Sequence, residues 1–411
     1  LDTNTLTPRR QQQKLRRART SSLRILLVIE ATGKGTGRHI LDLAEGSIAR
    51  GCEVHLIYSP VRMDEMFRKR MWSMDGLAHV ALPMHRSIHA QDLSATWAIR
   101  RYLANFGPFD VIHGHSSKGG ALARIAAIGT GVPAIYTPHA LFTLTPGLSA
   151  PRRHFYNAIE LILSKLCKYI IAVAPAEERF ALTVGLGRSR VVMVPNGVGE
   201  LDLTPRDQAR RLCGARSDEV VIGSVGRLIE NKGPDVLVKA MAIALRSAPR
   251  LRLVFVGDGA LKRPLAQLAE SLGIADKVVL LGEMDAQKVF SAFDIFAMSS
   301  RMEAMPYVVL EAMAAGLPII ATVTSGVEML VEPSVNGKVV PMDDCTAFAA
   351  ALVDLASDPH QMAKMASASR RLIEPLSSER MIDRILELYE KCLGESAVEL
   401  DNEPQLATDV E

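Results

Sequence analysis

The stretch Ser299-Ser300-Arg301-Met302-Glu303-Ala304-Met305-Pro306-Tyr307-Val308-Val309-Leu310-Glu311-Ala312-Met313-Ala314-Ala315-Gly316-Leu317-Pro318-Ile319-Ile320-Ala321 decides how this chain is read. The apolar run Asp294–Met298 before it has strand character, and Leu317–Val323 at its end is strand-sized again. Pro306 suits the first turn of a helix between them, because its missing N–H costs nothing there. Two carboxylates, Glu303 and Glu311, stand eight positions apart. That is just over two helical turns, so on a helix they would project to nearly the same side. The helix start spanning Met305, Pro306, Tyr307 and Val308 offers, proline apart, free backbone N–H groups and the positive end of a dipole, an anion site. Carboxylates for hydroxyls beside a helix end for phosphate is the chemistry that holds a sugar nucleotide. Two solvated glutamates around a helix start would give the same spacing, so the pair alone decides little.

Working outward, short apolar runs alternate with longer amphipathic segments, the pattern of strand–helix–strand units in parallel sheets. In the first half strands are expected over Arg24–Ile29, Glu53–Tyr58, Ala78–Leu82, Asp110–His113, Ala134–Thr137, Tyr169–Val173 and Val191–Val194. Helices are expected over Arg38–Arg50, Leu93–Asn105, Gly119–Ile128, Arg152–Lys168 and Ala176–Val184. The pattern restarts at Val220–Val225, Arg252–Val256, Lys277–Leu280, Asp294–Met298 and Pro318–Ala321. Between the halves, Gly199–Ser217 is polar, carries Pro205 and lacks strand character. The reading is α/β, with two doubly wound Rossmann-like domains, 23–198 and 199–377, and ligands at the carboxyl ends of strands in a cleft between them. A helix is expected over 378–393, and the basic tail 1–22 and acidic tail 394–411 read as disordered.

Three places carry further candidate chemistry. Gly33-Lys34-Gly35-Thr36-Gly37-Arg38-His39 follows the first strand, and its glycines permit close backbone approach to a ligand. The spacing is not the dinucleotide G-x-G-x-x-G, which argues against a nicotinamide or flavin. A plain turn is the other reading. Arg227 and Lys232 follow the first strand of the second half beside Gly226 and Gly233. There a planar guanidinium and a point charge can neutralise a pyrophosphate. No Asp-x-Asp triplet occurs in the chain, so no metal is expected, and the leaving group falls to these cations and the helix start. His113 and His115, in V-I-H-G-H, follow a strand end and are candidates for the acceptor side or for structural roles. His39 is a candidate for phosphate contact or for packing.

E-x7-E followed by A-M-A-A-G-L-P-I-I-A resembles the signature of the family 4 retaining glycosyltransferases, the group 1 nucleotide-sugar transferases. Three more segments match in the family's order: Val194-Pro195-Asn196-Gly197-Val198, Gly226-Arg227-Leu228 with Lys232-Gly233, and Val256-Gly257-Asp258-Gly259. The similarity runs from about Arg24 to about Cys392, and several motifs in register are far more specific than one. The resemblance implies a GT-B fold whose last helix crosses back to the first domain. It implies a donor site in which Gly35, Thr36 and Gly37 lie near the phosphates, Gly257 belongs to the V-G-D-G turn and Glu311 binds the ribose. Glu303 would bind the transferred sugar, and His139, in Y-T-P-H-A, would be the active-site histidine beside it. Retention of anomeric configuration also follows from the family. A departing phosphate that assists the incoming hydroxyl and a covalent carboxylate intermediate both stay open.

The first half, notably G-T-G-R-H-I-L-D-L-A-E-G and H-G-H-S-S-K-G-G-A-L-A-R, is similar to transferases of exopolysaccharide, capsule or O-antigen assembly. The expected activity is transfer of a hexose from a nucleotide-diphosphate sugar, a co-substrate and not a cofactor, to a glycan or polyprenyl-linked saccharide. A catalytically silent nucleotide-sugar-binding subunit and another GT-B enzyme, a phosphorylase or epimerase, are the alternatives. The joint presence of Glu303, Glu311, Arg227 and Lys232 weighs against both.

Composition narrows the setting. A chain of 411 residues, 48% hydrophobic and 23% charged, suits two soluble domains. No apolar run approaches the ~18 residues of a membrane span, and the first residues hold no apolar signal-peptide core. Five scattered cysteines without a C-x-x-C pair fit reduced thiols in a cytoplasm and no structural zinc. Residues 1–200 hold 26 Lys and Arg against 14 Asp and Glu, and the remainder 22 against 31, so the first half is expected to meet something anionic. Nucleic acid is disfavoured, because aromatics are only 5% and no recognition motif occurs. The segment Arg62–Trp72 interleaves cations with bulky apolar groups. With Arg100, Arg101, Arg152 and Arg153 it forms a candidate basic face for anionic lipid at the inner membrane face, or an ordinary amphipathic surface helix.

Overall fold

The computed structural model describes residues 23–145 and 147–401; the basic tail 1–22 and the last part of the acidic tail, 402–411, lie outside the described residues. The chain runs β1 (Arg24–Ile29), α1 (Lys34–Ala49), β2 (Glu53–Tyr58), α2 (Glu65–Trp72), β3 (Leu77–Ala81), α3 (Gln91–Phe106), β4 (Val111–His115), α4 (Ser116–Ala126), β5 (Ala134–Thr137), α5 (Ala150–Ser164), β6 (Tyr169–Ala172), α6 (Pro175–Val184) and β7 (Val191–Met193). It continues with α7 (Arg206–Leu212), β8 (Val220–Val225), α8 (Pro234–Ala244), β9 (Leu251–Val256), α9 (Lys262–Ser271), β10 (Val278–Leu280), β11 (Ile295–Met298), α10 (Tyr307–Ala314), β12 (Ile319–Thr322), β13 (Gly337–Val340), α11 (Cys345–Ser357), α12 (Pro359–Ile373) and α13 (Ser378–Asp401).

The first sheet has strand order β3-β2-β1-β4-β5-β6-β7 and the second β10-β9-β8-β11-β12-β13. Two compact units result. One comprises residues up to Pro138, Ala158–Ile171 and residues from Ile382 onward; the other comprises His139–Asn157 and Ala172–Met381.

In the first unit β1 lies between β2 and β4, parallel to both. Its residues Ile25 to Ile29 are all buried, as a central strand covered on both faces must be. Helix α13 returns to this unit. His113 Nδ1 lies 2.7 Å from Tyr389 Oη on that helix, and Nε2 lies 2.8 Å from Thr137 Oγ1 on β5. Burial, followed by the neighbouring His39, pushes the His113 pKa well below its ordinary value, so the ring is neutral. Arg124 is fully buried, stacked 4.0 Å over the Tyr136 ring and paired at 3.0 Å with Glu160.

The second sheet is parallel throughout. Along β11, Phe296 and Met298 enter the core on one face, Ile295 and Ala297 the core on the other. That is the period-two alternation of a strand covered twice, and it explains the unbroken apolar run.

Several details differ from expectation. Helix α13 runs past residue 393 to Asp401, so 394–401 of the acidic tail are helical where disorder was expected. Helix α1 starts at Lys34, four residues before Arg38, so Gly35, Thr36 and Gly37 form its first turn and not a loop before it. The polar segment after Gly199 contains α7, which docks through its arginines. Arg206 reaches Asp294 at 2.6 Å, and Arg210 bonds the Glu219 carbonyl at 2.9 Å. The edge strand β13 escaped notice because it is short and carries Lys338.

Glu219, just before β8, has a fully buried side chain and accepts from Arg252 Nε at 2.6 Å, Lys277 Nζ at 3.1 Å and the Arg216 N–H at 3.0 Å. Burial works to raise its pKa, but these hydrogen bonds outweigh it and hold the carboxyl at about 2. A folded value below the unfolded one gives stability that is present above pH ~4.3 and lost as pH falls toward 2. Glu219→Gln should therefore destabilise the fold by on the order of 3 kcal/mol at pH 7, since it leaves buried cations unmatched. In urea melts the gap between variant and parent should narrow as pH falls through that window; a constant gap would contradict the assignment.

Candidate active site

In the second unit the chain leaves β8 toward β9 and leaves β11 toward β12, so the topological switch point lies between β8 and β11. Ligands of open α/β sheets bind outside the strand ends at such a point. From β8 comes Gly226-Arg227-Leu228, and from β11 comes Ser299 through Glu303.

The turn after β9 supports the turn after β8. Gly226 N–H donates to the Val256 carbonyl and Leu228 N–H to the Asp258 carbonyl, both at 2.9 Å. At Gly257, with φ 134°, a Cβ would lie 2.0 Å from the Gly226 carbonyl oxygen, so only glycine fits. Gly257 thus shapes the backbone beneath Arg227.

A single helical turn, Glu230–Lys232, is followed by Gly233 at φ 58°. Here a Cβ would lie 2.3 Å from the Ser299 carbonyl oxygen. Ser299 Oγ closes the contact by donating to the Gly233 carbonyl at 2.7 Å. The approach delivers Lys232 Nζ to Glu303 Oε1 at 2.5 Å, and Ser300 Oγ donates to the same oxygen at 2.6 Å. Gly226, exposed Arg227, Lys232, Ser299, Glu303 and Val308 line one concave recess.

The Glu303 loop is held from two further sides. Asn196 Nδ2 donates to the Met305 carbonyl at 3.1 Å, and Gly326 passes so close that a Cβ would meet the Ala304 carbonyl oxygen at 2.2 Å. Pro306 is the N-cap, and α10 begins at Tyr307, one residue later than the sequence implies. Glu303 lies in the loop before the helix, so its place is set by Lys232 and Ser300, not by helical phase with Glu311. Met305, Tyr307 and Glu311 are buried in the unit, and Glu311 does not line the recess.

His139 follows β5 and is half-buried, with φ 57°; Ala140 after it has φ 91°. Glu177 bonds the backbone of this turn, a role no local pattern announced. In the first unit His39, on α1, and His115, at the end of β4, are both buried, with ring centroids 5.5 Å apart. His113 is spent on Tyr389 and Thr137, a structural pin. Gly37 lies where a Cβ would come 2.2 Å from the Thr32 carbonyl oxygen. Asn196, Ser299 and Ser300 were missed as site residues. The spacing Ser300-x-x-Glu303 was the one local hint.

Residues 33–199 match the family described as Glycosyltransferase Family 4, and residues 205–372 the family described as Glycosyl transferases group 1. The chain is 32% identical over 312 residues to the D-inositol 3-phosphate glycosyltransferase of Stackebrandtia nassauensis, covering 71% of this chain and 70% of that protein. It is 27% identical over 292 residues to the Escherichia coli UDP-Gal:alpha-D-GlcNAc-diphosphoundecaprenol alpha-1,3-galactosyltransferase, covering 68% and 75%. The structure of Anabaena HepE in complex with UDP superposes with a TM-score of 0.76 at 21% identity, covering 90% of this chain and 100% of that one. The chain belongs to the group 1, family 4 glycosyltransferases, and its two Rossmann-like units have the GT-B fold.

The Gly233–Ser299 approach makes a direct prediction. Gly233→Ala should cost about 2–4 kcal/mol, combining left-handed backbone strain with a steric clash. Gly214, also at φ 58° but with open space around its Cβ position, isolates the strain. Gly214→Ala should cost only about 1–2 kcal/mol in the same urea melts.

Proposed function

We propose that this glycosyltransferase moves a hexose, with retention of anomeric configuration, from a nucleotide-diphosphate sugar to a glycan or polyprenyl-linked saccharide. The observation that carries the reading is the recess at the β8/β11 switch point, which Arg227 lines beside a Glu303 carboxylate held by Lys232 and Ser300. Arg227, Lys232 and the start of α10 take the diphosphate, Glu303 the sugar hydroxyls, and Glu311 the ribose. In the first unit Gly35, Thr36 and Gly37 serve the donor phosphates. His139 serves the transferred sugar, and His39 and His115, buried behind the strand ends, would shape the acceptor side without touching it.

Lys232 is bonded to Glu303. An arriving diphosphate would compete for the ammonium protons and release that carboxylate oxygen to accept from a sugar hydroxyl. Binding of the phosphates and of the sugar are thereby coupled through one ion pair. A Glu303 engaged with the sugar hydroxyls acts as a binding group, and the departing phosphate would itself assist the incoming hydroxyl. Two cations and a helix start supply the charge that a metal would otherwise bring. The Anabaena structure holds UDP, and the Escherichia coli relative is named for UDP-Gal and a diphosphoundecaprenol-linked acceptor, which supports the donor and acceptor classes.

The enzyme works in the cytoplasm at an anionic membrane face. Among the described residues no helix is long and apolar enough to cross a membrane. On α2, Phe67 and Met71 face inward, Arg68 and Lys69 pair with Glu65, and Arg70 pairs with Asp42 and Glu45. Exposed Met66, Trp72, Leu93 and Trp97 would therefore contribute more to attachment than these matched cations. Sedimentation with anionic vesicles should show binding that weakens with salt. If a chain lacking residues 1–22 ignores such vesicles at low salt, the membrane-surface reading fails and a soluble acceptor becomes the better reading.

Arg227→Ala or Lys232→Ala should cost roughly 2–4 kcal/mol in kcat/KM, the scale for losing a preorganised charge partner. Activity within about threefold of the parent in both would remove these residues from the site. Calorimetry separates the glutamates: Glu311→Gln should weaken nucleoside diphosphate alone, whereas Glu303→Gln should spare it and impair intact nucleotide sugar and turnover. The opposite pattern would swap the two roles.

A further inference from the structure

We infer that Glu177 is a positioning residue for His139, its carboxylate fixing the backbone turn that presents the imidazole. The inference rests on the proposed place of His139 beside the transferred sugar.

His139 and Ala140 are consecutive L residues at φ 57° and 91°. Each such residue is disfavoured by about 1–2 kcal/mol, so the turn persists only if something external holds it. Glu177, the third residue of α6, supplies the hold. Its Oε1 accepts from the Ala140 N–H at 2.8 Å and the Leu141 N–H at 3.0 Å, and its Oε2 accepts from the Val173 N–H at 2.9 Å.

The residue is 1% exposed. Burial raises its pKa, and three backbone N–H groups, not a basic side chain, oppose that rise. The two oxygens divide the work: one ties the chain leading into α6, and the other reaches some forty residues back along the chain to the histidine turn. A carboxylate that only capped its own helix would not need the second reach. Gln at 177 keeps one acceptor oxygen but turns an NH2 group toward N–H groups, so one of the two ties must fail.

The test is a mutant cycle read in kcat and in nucleoside diphosphate affinity. Glu177→Gln should lower kcat by roughly tenfold or more, as small misplacements of a catalytic group do, and leave diphosphate affinity unchanged. In the His139→Ala background the same change should alter residual kcat less than about twofold. Ala140→Gly should restore part of kcat to Glu177→Gln, because glycine holds φ 91° unaided, whereas a lost helix cap would not be restored. Glu177→Asp, which withdraws the carboxylate by one methylene, serves in place of Gln if that variant does not fold. Equal losses in both backgrounds, or no rescue by glycine, would overturn the inference while leaving the role of His139 intact. Full activity in His139→Ala alone would overturn the place given to that histidine, and the inference with it.

Discussion

The backbone of Gly233 lies against the backbone of Ser299, and the rest of the candidate site is built on that approach. A left-handed residue without a Cβ is the only one that fits, and Ser299 Oγ locks the contact by donating to the Gly233 carbonyl. Once the segments following β8 and β11 are pinned in this way, Lys232 and Glu303 meet at 2.5 Å although 71 residues separate them. The Gly257 turn then sets the backbone from which Arg227 projects, and Asn196 and Gly326 hold the Glu303 loop from behind. A recess with two cations and one carboxylate can discriminate only if its charges cannot drift, and here the main chain supplies the rigidity.

Buried carboxylates elsewhere in the molecule show two solutions to one problem. Glu219 is answered by Arg252, Lys277 and an N–H of Arg216, and this places its pKa at about 2. Glu177 is answered by backbone N–H groups alone, and burial there leaves its pKa raised. An ion pair ties side chains that can rearrange together. A carboxylate bonded to N–H groups ties the main chain itself, which is what a turn with two left-handed residues demands. Glu219 therefore reads as stability for the second sheet, and Glu177 as geometry for one histidine.

Much of the fold was legible because the central strands of both sheets are covered on both faces. Strands such as β1 and β11 then become unbroken apolar runs, and the second series of runs after Val220 marks a second sheet. Where a strand is short and carries a charged residue, as β13 does with Lys338, the same rule fails. At α1 the glycines Gly35 and Gly37 look locally like a loop, whereas the helix tolerates them in its first turn.

The sequence by itself determined the α/β class and the two series of strands, because periodicity acts over a few neighbouring residues; Arg227, Lys232, Glu303 and Glu311 stood out as candidates, but not who partners whom. Only the tertiary structure decided what each ionisable group does. His113 and His115 sit two residues apart on one strand, yet His113 is consumed by Tyr389 and Thr137 because the last helix happens to cover it. Lys232 finds Glu303, and Glu177 finds the turn at His139, for the same reason. Partners of charge and hydrogen bond are chosen by which strands and helices become neighbours in space, and no local pattern along the chain encodes that choice.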